Sequence, residues 1–298
     1  ADVQGRTIRT AVGSTADTAY DVRGTRAAFY LQDQFRLSDR IYLVLGGRGL
    51  RLGLSRAGWT FDPRASAAFL LTKRDIFRAS AGLYRQYGDY FEIARNPGLG
   101  PRSAAHFALS YDRITDGLEL RATLYDKEYR RLYLRGAASG ASSDAGRGFA
   151  RGAELFLKRM TSRYELLVVY NFLASKRAEN EIAAPAPSPY EIPHSATAIL
   201  SWNFGKAALG LRYSYAAGRP FTPLAGRAWD DDAGAYVPVW DEPMSARYPV
   251  YRRLDLNGSW TVDAFKRMVV LYFGITNLLD ARNVSRYEYG DDYETRTS

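Results

Sequence analysis

Apolar and polar residues alternate with a period of two along most of the chain, and helical periodicity is weak. The clearest examples are residues 118–125, 195–204 and 253–262, where nearly every second side chain is apolar. An extended backbone turns successive side chains to opposite faces, so this period predicts strands with one apolar and one polar face. We expect about twelve such strands, near residues 25–36, 41–51, 64–72, 76–86, 102–113, 118–131, 147–158, 164–174, 193–204, 207–217, 251–261 and 268–278.

The connections between these strands alternate between short and long. The short connections carry the Gly, Asp and Ser residues that hairpin turns require. They are residues 37–40, 73–75, 114–117, 159–163, 205–206 and 262–267. The long connections are about 52–63, 87–101, 132–146, 175–192, 218–250 and everything after 278. This alternation puts all short turns at one edge of a meander. It predicts an outer-membrane β-barrel with short periplasmic turns and long extracellular loops.

In such a barrel the two faces of each strand meet different surroundings, because the apolar face contacts lipid and the polar face lines the lumen. Aromatic residues near strand ends are typical of the girdles at the two membrane interfaces. The candidates are Tyr164, Tyr170, Trp202, Phe204, Tyr213, Tyr215 and Trp260. Asp33 and Arg85 fall on apolar faces, so we expect them toward strand ends or at a register change.

Composition narrows the classes of function. Hydrophobic residues make up 46% of the chain and charged residues 24%, which excludes a disordered protein. The absence of Cys excludes disulfides, thiolate metal sites and a Cys nucleophile. The net charge is +9, but the basic residues are scattered among acidic ones, so we expect no nucleic-acid partner. No apolar run is long enough for a transmembrane helix, and residues 1–10 lack the pattern of a signal peptide.

Catalysis would have to involve one of the two histidines, His106 and His194, which both lie in predicted strands. A nucleophile needs a base and an orienting group within hydrogen-bond reach. His194 and Ser195 are adjacent in a strand and therefore point to opposite faces. We expect no catalytic residue, no cofactor and no metal site. The alternative is an outer-membrane hydrolase, in which either histidine would have to meet a serine or a carboxylate.

Several segments, in this order and spacing, resemble the C-terminal part of the barrel of TonB-dependent outer-membrane receptors. They are AAFYLQDQFRLSDRIYLVLGGR (27–48), DPRASAAFLLTKRDIFRASAGLYRQ (62–86), GFARGAELFLKR (148–159), GRPFTPLAG (218–226), YRRLDLNGSW (251–260) and FGITNLLDARN (273–283). The resemblance implies an all-β antiparallel meander that forms part of a barrel, with residues 1–298 as a single domain. In that family a segment like 273–283 ends the penultimate strand, so we expect this chain to lack the plug domain and the last strand.

The resemblance also implies a function, which is the energy-coupled uptake of a scarce solute such as a siderophore, a vitamin or a glycan. The implied location is the cell outer membrane. The implied partners are outer-membrane lipid, a TonB-type energy-coupling protein acting through the plug, and a small-molecule ligand such as a metal chelate. The alternative from another class is a small plugless porin, in which the first and last strands pair to complete a cylinder.

The longest internal loop, 218–250, supplies the candidate ligand-binding residues. Aromatic side chains there could stack on a ligand, and three consecutive carboxylates could bind a cation or a basic group. The candidates are Trp229, Asp230, Asp231, Asp232, Tyr236 and Trp240. The alternative is that the carboxylates form a solvated tip and the aromatics fold the loop on itself. A second loop, 178–193, alternates Pro with small residues, and we expect it to be extended and poorly packed.

Overall fold

The computed structural model describes residues 5–9, 19–135, 142–264, 266–290, 292–294 and 296–297, most of which lie in β-strands. The strands are β1 (Gly5–Arg9), β2 (Ala19–Arg23), β3 (Arg26–Arg36), β4 (Ile41–Leu52), β5 (Trp59–Leu70), β6 (Asp75–Gln86), β7 (Arg102–Thr115), β8 (Leu118–Arg135), β9 (Ser142–Met160), β10 (Tyr164–Glu179), β11 (Ile182–Pro187), β12 (His194–Asn203), β13 (Ala207–Ala216), β14 (Pro220–Phe221), β15 (Leu224–Asp230), β16 (Ala235–Trp240), β17 (Ala246–Arg247), β18 (Tyr251–Ala264), β19 (Arg267–Ile275), β20 (Glu288–Tyr289) and β21 (Arg296–Thr297).

One short helix, α1 (Tyr90–Arg95), interrupts this pattern in the part of the chain that the structure describes. Within those same residues, no helix is long and apolar enough to span a membrane. Some segments of the sequence predictions lie outside the described residues. They are 1–4 and 10–18 near the N-terminus, 136–141 in the predicted loop 132–146, residue 265 in the predicted turn 262–267, and 291, 295 and 298 after 278.

Twelve strands form one antiparallel meander in which each strand pairs with its neighbour along the path. The order is β19-β18-β13-β12-β10-β9-β8-β7-β6-β5-β4-β3, and β11 is added alongside β10. The predicted fold class is therefore confirmed. The two ends of the path, β3 and β19, do not pair with each other among the described strands, so the sheet is open. An open sheet is expected for a partial barrel, and the edge pairing that a small closed porin requires is not present in this part of the chain.

The short connections lie at one edge of the sheet and the long ones at the other, as predicted. Residues 37–40, 71–74, 116–117, 161–163 and 204–206 are the described tight turns. In the turn 116–117, Gly117 has φ +83°, and a Cβ atom there would lie 2.4 Å from the carbonyl oxygen of Met160. Both the left-handed backbone and the close contact require glycine. We call the opposite edge of the sheet, where the long connections meet, the loop end.

Strand register fixes the two faces of the sheet. The apolar residues form continuous rows across neighbouring strands, because directly paired residues point to the same side. One such row is Leu166, Leu200, Leu211, Leu256 and Ile275. A row on the opposite face is Val169, Thr197, Ser214 and Arg253. Many large apolar side chains of the first face are exposed, including the predicted girdle residues Trp202 and Trp260 near the short turns.

Two charged residues had been predicted on apolar faces. Asp33 lies on the exposed face of β3, near the end of the strand. Arg85 is the second-last residue of β6, and its Nη1 atom pairs with the carboxylate of buried Asp62 at 3.2 Å. The pairing between β5 and β6 ends at Arg64 and Gly82, so Arg85 lies beyond the ladder with β5, although it still pairs with Ser103 of β7. The bond to Asp62 explains how this cation is accommodated.

The predicted start of one strand was wrong, because β5 begins at Trp59 and the connection before it is only residues 53–58. The predicted connection 52–63 included Pro63, and proline has no N–H group to donate to a ladder. In the structure Pro63 pairs with Gly47 of β4, and the described pairing with β6 begins only at Arg64. The strand therefore tolerates proline at a position where just one neighbour is paired.

The segment 178–193 is extended, as predicted, but the prediction of poor packing was wrong. Strand β10 continues to Glu179, and β11 folds back beside it with Lys176 opposite Pro187. Beyond β11, the side chains of Ser188 and Glu191 are buried, with exposed fractions of 1% and 7%. A carboxylate oxygen of Glu191 accepts the backbone N–H of Ser175 at 2.9 Å. These bonds satisfy the polar groups of the segment and hold it against the sheet.

Candidate functional site

The connection of residues 87–101 folds into a compact unit at the loop end, which we call the cap. It contains α1, and its apolar side chains Ile93 and Leu99 are 0% and 2% exposed. They pack in one hydrophobic cluster with Leu52 at the end of β4 and Tyr133 near the end of β8. Full burial of an aliphatic side chain contributes about 1.5–3 kcal/mol, so these two residues anchor the cap to the sheet.

Tyr133 holds both ends of the cap. Its hydroxyl donates to the carbonyl oxygen of Gly100 at 2.8 Å and accepts the backbone N–H of Gly88 at 3.3 Å. A Cβ atom on Gly88 would lie 2.5 Å from the Tyr133 ring, so the close approach requires glycine there. One phenol group thereby joins the first and last turns of the segment to β8.

Polar contacts connect the cap to further strands. The side-chain amide of Asn96 donates to the carbonyl oxygen of Ser142 in β9 at 2.8 Å. Glu92 pairs with Arg135 of β8 at 2.9 Å and with Arg102 of β7 at 3.6 Å. The cap is therefore held by an apolar cluster below and by ionic contacts along its rim.

A cavity of about 670 Å³ lies between the cap and the polar face of the sheet. This volume falls in the range of about 300–1,000 Å³ that is usual for small-molecule sites. The lining residues come from β3 to β8, from β10 and from the cap. The charged ones are Arg26, Arg48, Arg64, Arg85, Arg102, Arg177, Asp62 and Glu179, and the aromatic ones are Tyr84, Tyr87, Tyr90, Tyr129 and His106.

The predicted ligand-binding residues lie elsewhere, in the hairpin of β15 and β16, and none of them lines this cavity. Trp229 and Trp240 are 56% and 53% exposed. The ring of Tyr236 meets the ring of Trp229 edge-on, with centroids 5.2 Å apart. The hairpin thus brings Trp229 and Tyr236 together, while Trp240 lies at its base opposite Leu224.

Two of the three carboxylates at the hairpin tip are engaged by their own turn. Asp230 accepts the backbone N–H groups of Asp232 and Ala233 at 3.0 and 3.1 Å. Asp231 accepts the indole N–H of Trp229 at 2.9 Å. Asp and Asn side chains commonly close turns in this way. Among the described residues, no group of three or more His, Cys, Asp or Glu side chains could hold a metal ion. A ligand-binding role for the hairpin stays a prediction.

Several contacts attach the long loop to the rest of the molecule, including an ion pair between Arg227 of β15 and Glu294 and a hydrogen bond from Arg219 to the carbonyl oxygen of Ser285. Glu191, which is buried beside β10, forms an ion pair with Arg247 of the loop. The ring of Tyr248 clusters with those of Phe221 and Tyr287, whose centroids are 4.4 and 5.2 Å from its own. These contacts fix where the loop begins and ends and leave the hairpin tip outside.

Neither histidine forms a catalytic arrangement with the residues that the structure describes. The ring of His106 stacks near Tyr84, with centroids 4.4 Å apart, on the wall of the cavity. The Nδ1 atom of His194 lies 2.8 Å from the hydroxyl of Tyr170. No hydrogen bond joins either ring to a serine or a carboxylate in that part of the chain, which is what a hydrolase would require.

The sequence analysis missed the cap and the cavity. A signal was present, because the segment 87–101 carries Tyr90, Phe91, Ile93 and Leu99, an unusual apolar content for a solvated loop. The arginines could be seen only as single polar-face residues of separate strands. Their convergence depends on strand register, which the sequence alone does not provide.

The sequence pattern of one protein family matches residues 2–278, and that family is described as TonB dependent receptor-like, beta-barrel. No relative among curated proteins matches the chain by sequence.

Solved structures of outer-membrane proteins share the fold. The ferripyoverdine receptor of Pseudomonas aeruginosa, bound to ferripyoverdine, is 14% identical with a TM-score of 0.65, over 96% of this chain and 39% of its own. The siderophore receptor PiuA from Acinetobacter baumannii is 17% identical with a TM-score of 0.62. The match covers 89% of this chain and 41% of PiuA. The copper transporter OprC is 15% identical with a TM-score of 0.61. The match covers 89% of this chain and 45% of OprC. The chain therefore spans less than half the length of these proteins.

Proposed function

Because the chain belongs to the TonB-dependent receptor-like β-barrel family, we propose that it forms part of the barrel wall of a receptor for energy-coupled solute uptake. Membership of this family assigns the chain to the outer membrane. The family consists of transport receptors and not of enzymes, in agreement with the expectation that this chain is not an enzyme.

The observation that carries the proposal is the asymmetry between the two edges of the sheet. One edge has only tight turns, whereas the other carries the cap, the cavity and the aromatic hairpin. An outer-membrane receptor needs such a division, because solute arrives from one side of the membrane and leaves on the other. The exposed indoles of Trp229 and Trp240 support a first contact with solute at the hairpin.

The solute that we propose is scarce and metal-containing, of the siderophore class, with a vitamin or a glycan as the broader alternatives. The three similar proteins support this choice, since one binds ferripyoverdine, one is a siderophore receptor and one transports copper. The proposed energy source is a TonB-type coupling protein, acting through a plug domain of the whole receptor.

Uptake by the whole receptor tests this function. Residues 226–239 can be replaced by a short glycine turn, because Leu224 and Trp240 are already paired at the base of the hairpin. We expect uptake of ferric siderophores to fall strongly while the amount of receptor in the outer membrane is unchanged. The matched control alters the turn 37–40 at the opposite edge, which should leave uptake intact. Uptake that continues without the coupling protein would contradict the proposal and favour a passive pore.

Outer-membrane lipid is the proposed partner of the apolar face. Leu200 lies within the leucine row that crosses five strands, and Thr197 points to the opposite face of the same strand. An arginine on the lipid face near the midplane costs about 2–4 kcal/mol. We expect Leu200→Arg to reduce heat-modifiable, folded receptor in membranes and Thr197→Arg to reduce it far less. Equal losses for both variants would show that the faces are wrongly assigned.

A further inference from the structure

The cavity beneath the cap has a marked surplus of positive charge. Six arginines line it, against the carboxylates of Asp62 and Glu179. Guanidinium groups keep their charge at any physiological pH, so this surplus cannot be removed by deprotonation. Like charges held in one partly enclosed space repel each other unless anions join them.

Three of the six arginines already pair with these two carboxylates. Asp62 pairs with Arg85 at 3.2 Å. Glu179 is shared by Arg102 at 3.5 Å and Arg177 at 3.6 Å. The remaining arginines, Arg26, Arg48 and Arg64, form no ion pair with a carboxylate of the described residues, although Arg64 lies over the Tyr84 ring at 4.6 Å.

Three buried polar atoms of the cavity wall also lack a hydrogen-bond partner among the described residues. They are the hydroxyl oxygen of Tyr87 and the Nε atoms of Arg102 and Arg177. A buried donor without an acceptor is costly, so native structures rarely leave several of them in one place. Oxygen atoms of a bound molecule would supply the missing acceptors.

We propose that this cavity binds a small polycarboxylate anion, either free or as the oxygen shell of a metal chelate. The planar fork of a guanidinium matches a carboxylate with two parallel hydrogen bonds. Arg48 and Arg64 are suited to this role because neither forms an ion pair with a carboxylate of the described residues, although Asp62 lies opposite Arg48 in the ladder of β4 and β5. The inference rests on the proposed uptake function, because it names the chemical class of the solute.

The cap should respond to the bound anion. Tyr87, Gly88 and Tyr90 belong to the cap and form one wall of the cavity, while Arg102 joins that wall to Glu92. A ligand that bridges Arg48 and Arg64 to these groups adds contacts that exist only when the cap is in place. Binding therefore protects the cap from opening, and protection grows with ligand concentration.

The test uses the whole purified receptor and two probes, radiolabelled citrate and its ferric complex, measured by equilibrium dialysis. A neutral ferric trihydroxamate serves as the uncharged chelate. We expect at least one anionic probe to bind and to slow amide exchange in residues 87–101. The double variant Arg48→Gln with Arg64→Gln should weaken that binding by about tenfold or more, since neutral glutamine replaces neither the charge nor the two-pronged hydrogen bonding of a guanidinium.

Two controls separate this effect from damage to the fold. Arg212→Gln removes an arginine that also lies on the polar face of the sheet, in β13, but outside the cavity. It should leave the affinity for the anionic probe within about twofold of that of the native receptor. Arg48→Lys keeps the charge but loses the fork, so its affinity should lie between those of the native receptor and Arg48→Gln. Binding should also weaken as salt is raised.

Three results would overturn the inference. They are no binding of either anionic probe at millimolar concentration, equal affinity for the neutral chelate, or native affinity in the double variant. Each leaves the proposed uptake function standing if the receptor still imports another solute in an energy-dependent way. Loss of energy-dependent uptake of every solute, with citrate still bound in the cavity, would instead remove the proposed function alone. Free citrate binding without ferric citrate binding would assign the site to the free anion.

Discussion

The cap and the long loop 218–250 leave the same edge of the sheet, yet the shorter segment is the more firmly packed. The cap buries Ile93 and Leu99 almost completely, and Tyr133 of β8 holds both of its ends. The hairpin of the longer loop leaves Trp229 and Trp240 more than half exposed, and its own turn engages two of its three tip carboxylates.

The difference teaches that the length of a loop does not determine where a binding cavity forms. A segment that packs on the sheet encloses space between itself and the strands, whereas the hairpin, whose tip bonds to itself, leaves its indole side chains exposed. Enclosure matters for recognition, because charges shielded from water act more strongly on a ligand. On that basis the cap encloses the more selective site, and the hairpin is suited to a first contact.

The largest expected effect is on the cap core. Ile93→Ala removes a fully buried side chain and should destabilise the closed cap by about 2–5 kcal/mol, because it leaves a cavity in the cluster with Leu52 and Tyr133. Hydrogen exchange of residues 87–101 should speed up by roughly two orders of magnitude. Val239→Ala, at a half-exposed position of the hairpin, should change exchange little. Equal increases in hydrogen exchange for the two variants would contradict the conclusion that the cap is more firmly packed than the hairpin.

A smaller effect is expected when only the hydroxyl that holds the cap is removed. Tyr133→Phe keeps the buried ring but loses the bonds to Gly100 and Gly88, which should cost about 1–3 kcal/mol. The rate of amide hydrogen exchange at residues 87–101 measures this loss of stability. The matched control is Tyr236→Phe in the hairpin, whose ring contacts Trp229 edge-on, and it should leave both loops unchanged.

The attachment of the long loop should respond more weakly still. Glu191→Gln keeps an acceptor for the backbone N–H of Ser175 but removes the charge that pairs with Arg247. Because Arg247 is partly exposed, solvent screening limits the loss to about 1 kcal/mol. Exchange should rise in residues 218–250 and stay constant in the cap. A rise in the cap instead would mean that the two loops form one cooperative unit.

The smallest effect on stability is expected at the exposed indoles. Trp229→Ala should change the free energy of unfolding by less than about 0.5 kcal/mol, since the side chain is more than half exposed. If the hairpin is the first contact for solute, the same variant should nevertheless slow solute association in stopped-flow measurements. An unchanged association rate would restrict recognition to the cavity under the cap.

The sequence was sufficient for most of the fold because strand periodicity is a local property. Two alternating segments, 195–204 and 253–262, became β12 and β18 with their apolar residues on the predicted face. The alternation of short and long connections likewise predicted which edge would carry the loops. The errors fell where contacts from elsewhere decided the outcome, such as Pro63 in a strand with one paired neighbour and Glu191 buried against β10.

The sequence by itself determined the strands, their order, their two faces and the resemblance to a receptor barrel, because each follows from neighbouring residues. Only the tertiary structure decided that residues 87–101 close over the sheet and that Arg48, Arg64, Arg102 and Arg177 line one cavity. These arginines are far apart along the chain, and they meet because antiparallel register sets the ends of β4 to β10 side by side. The physical reason is that alternation specifies the direction of a side chain, whereas convergence depends on pairing between distant strands.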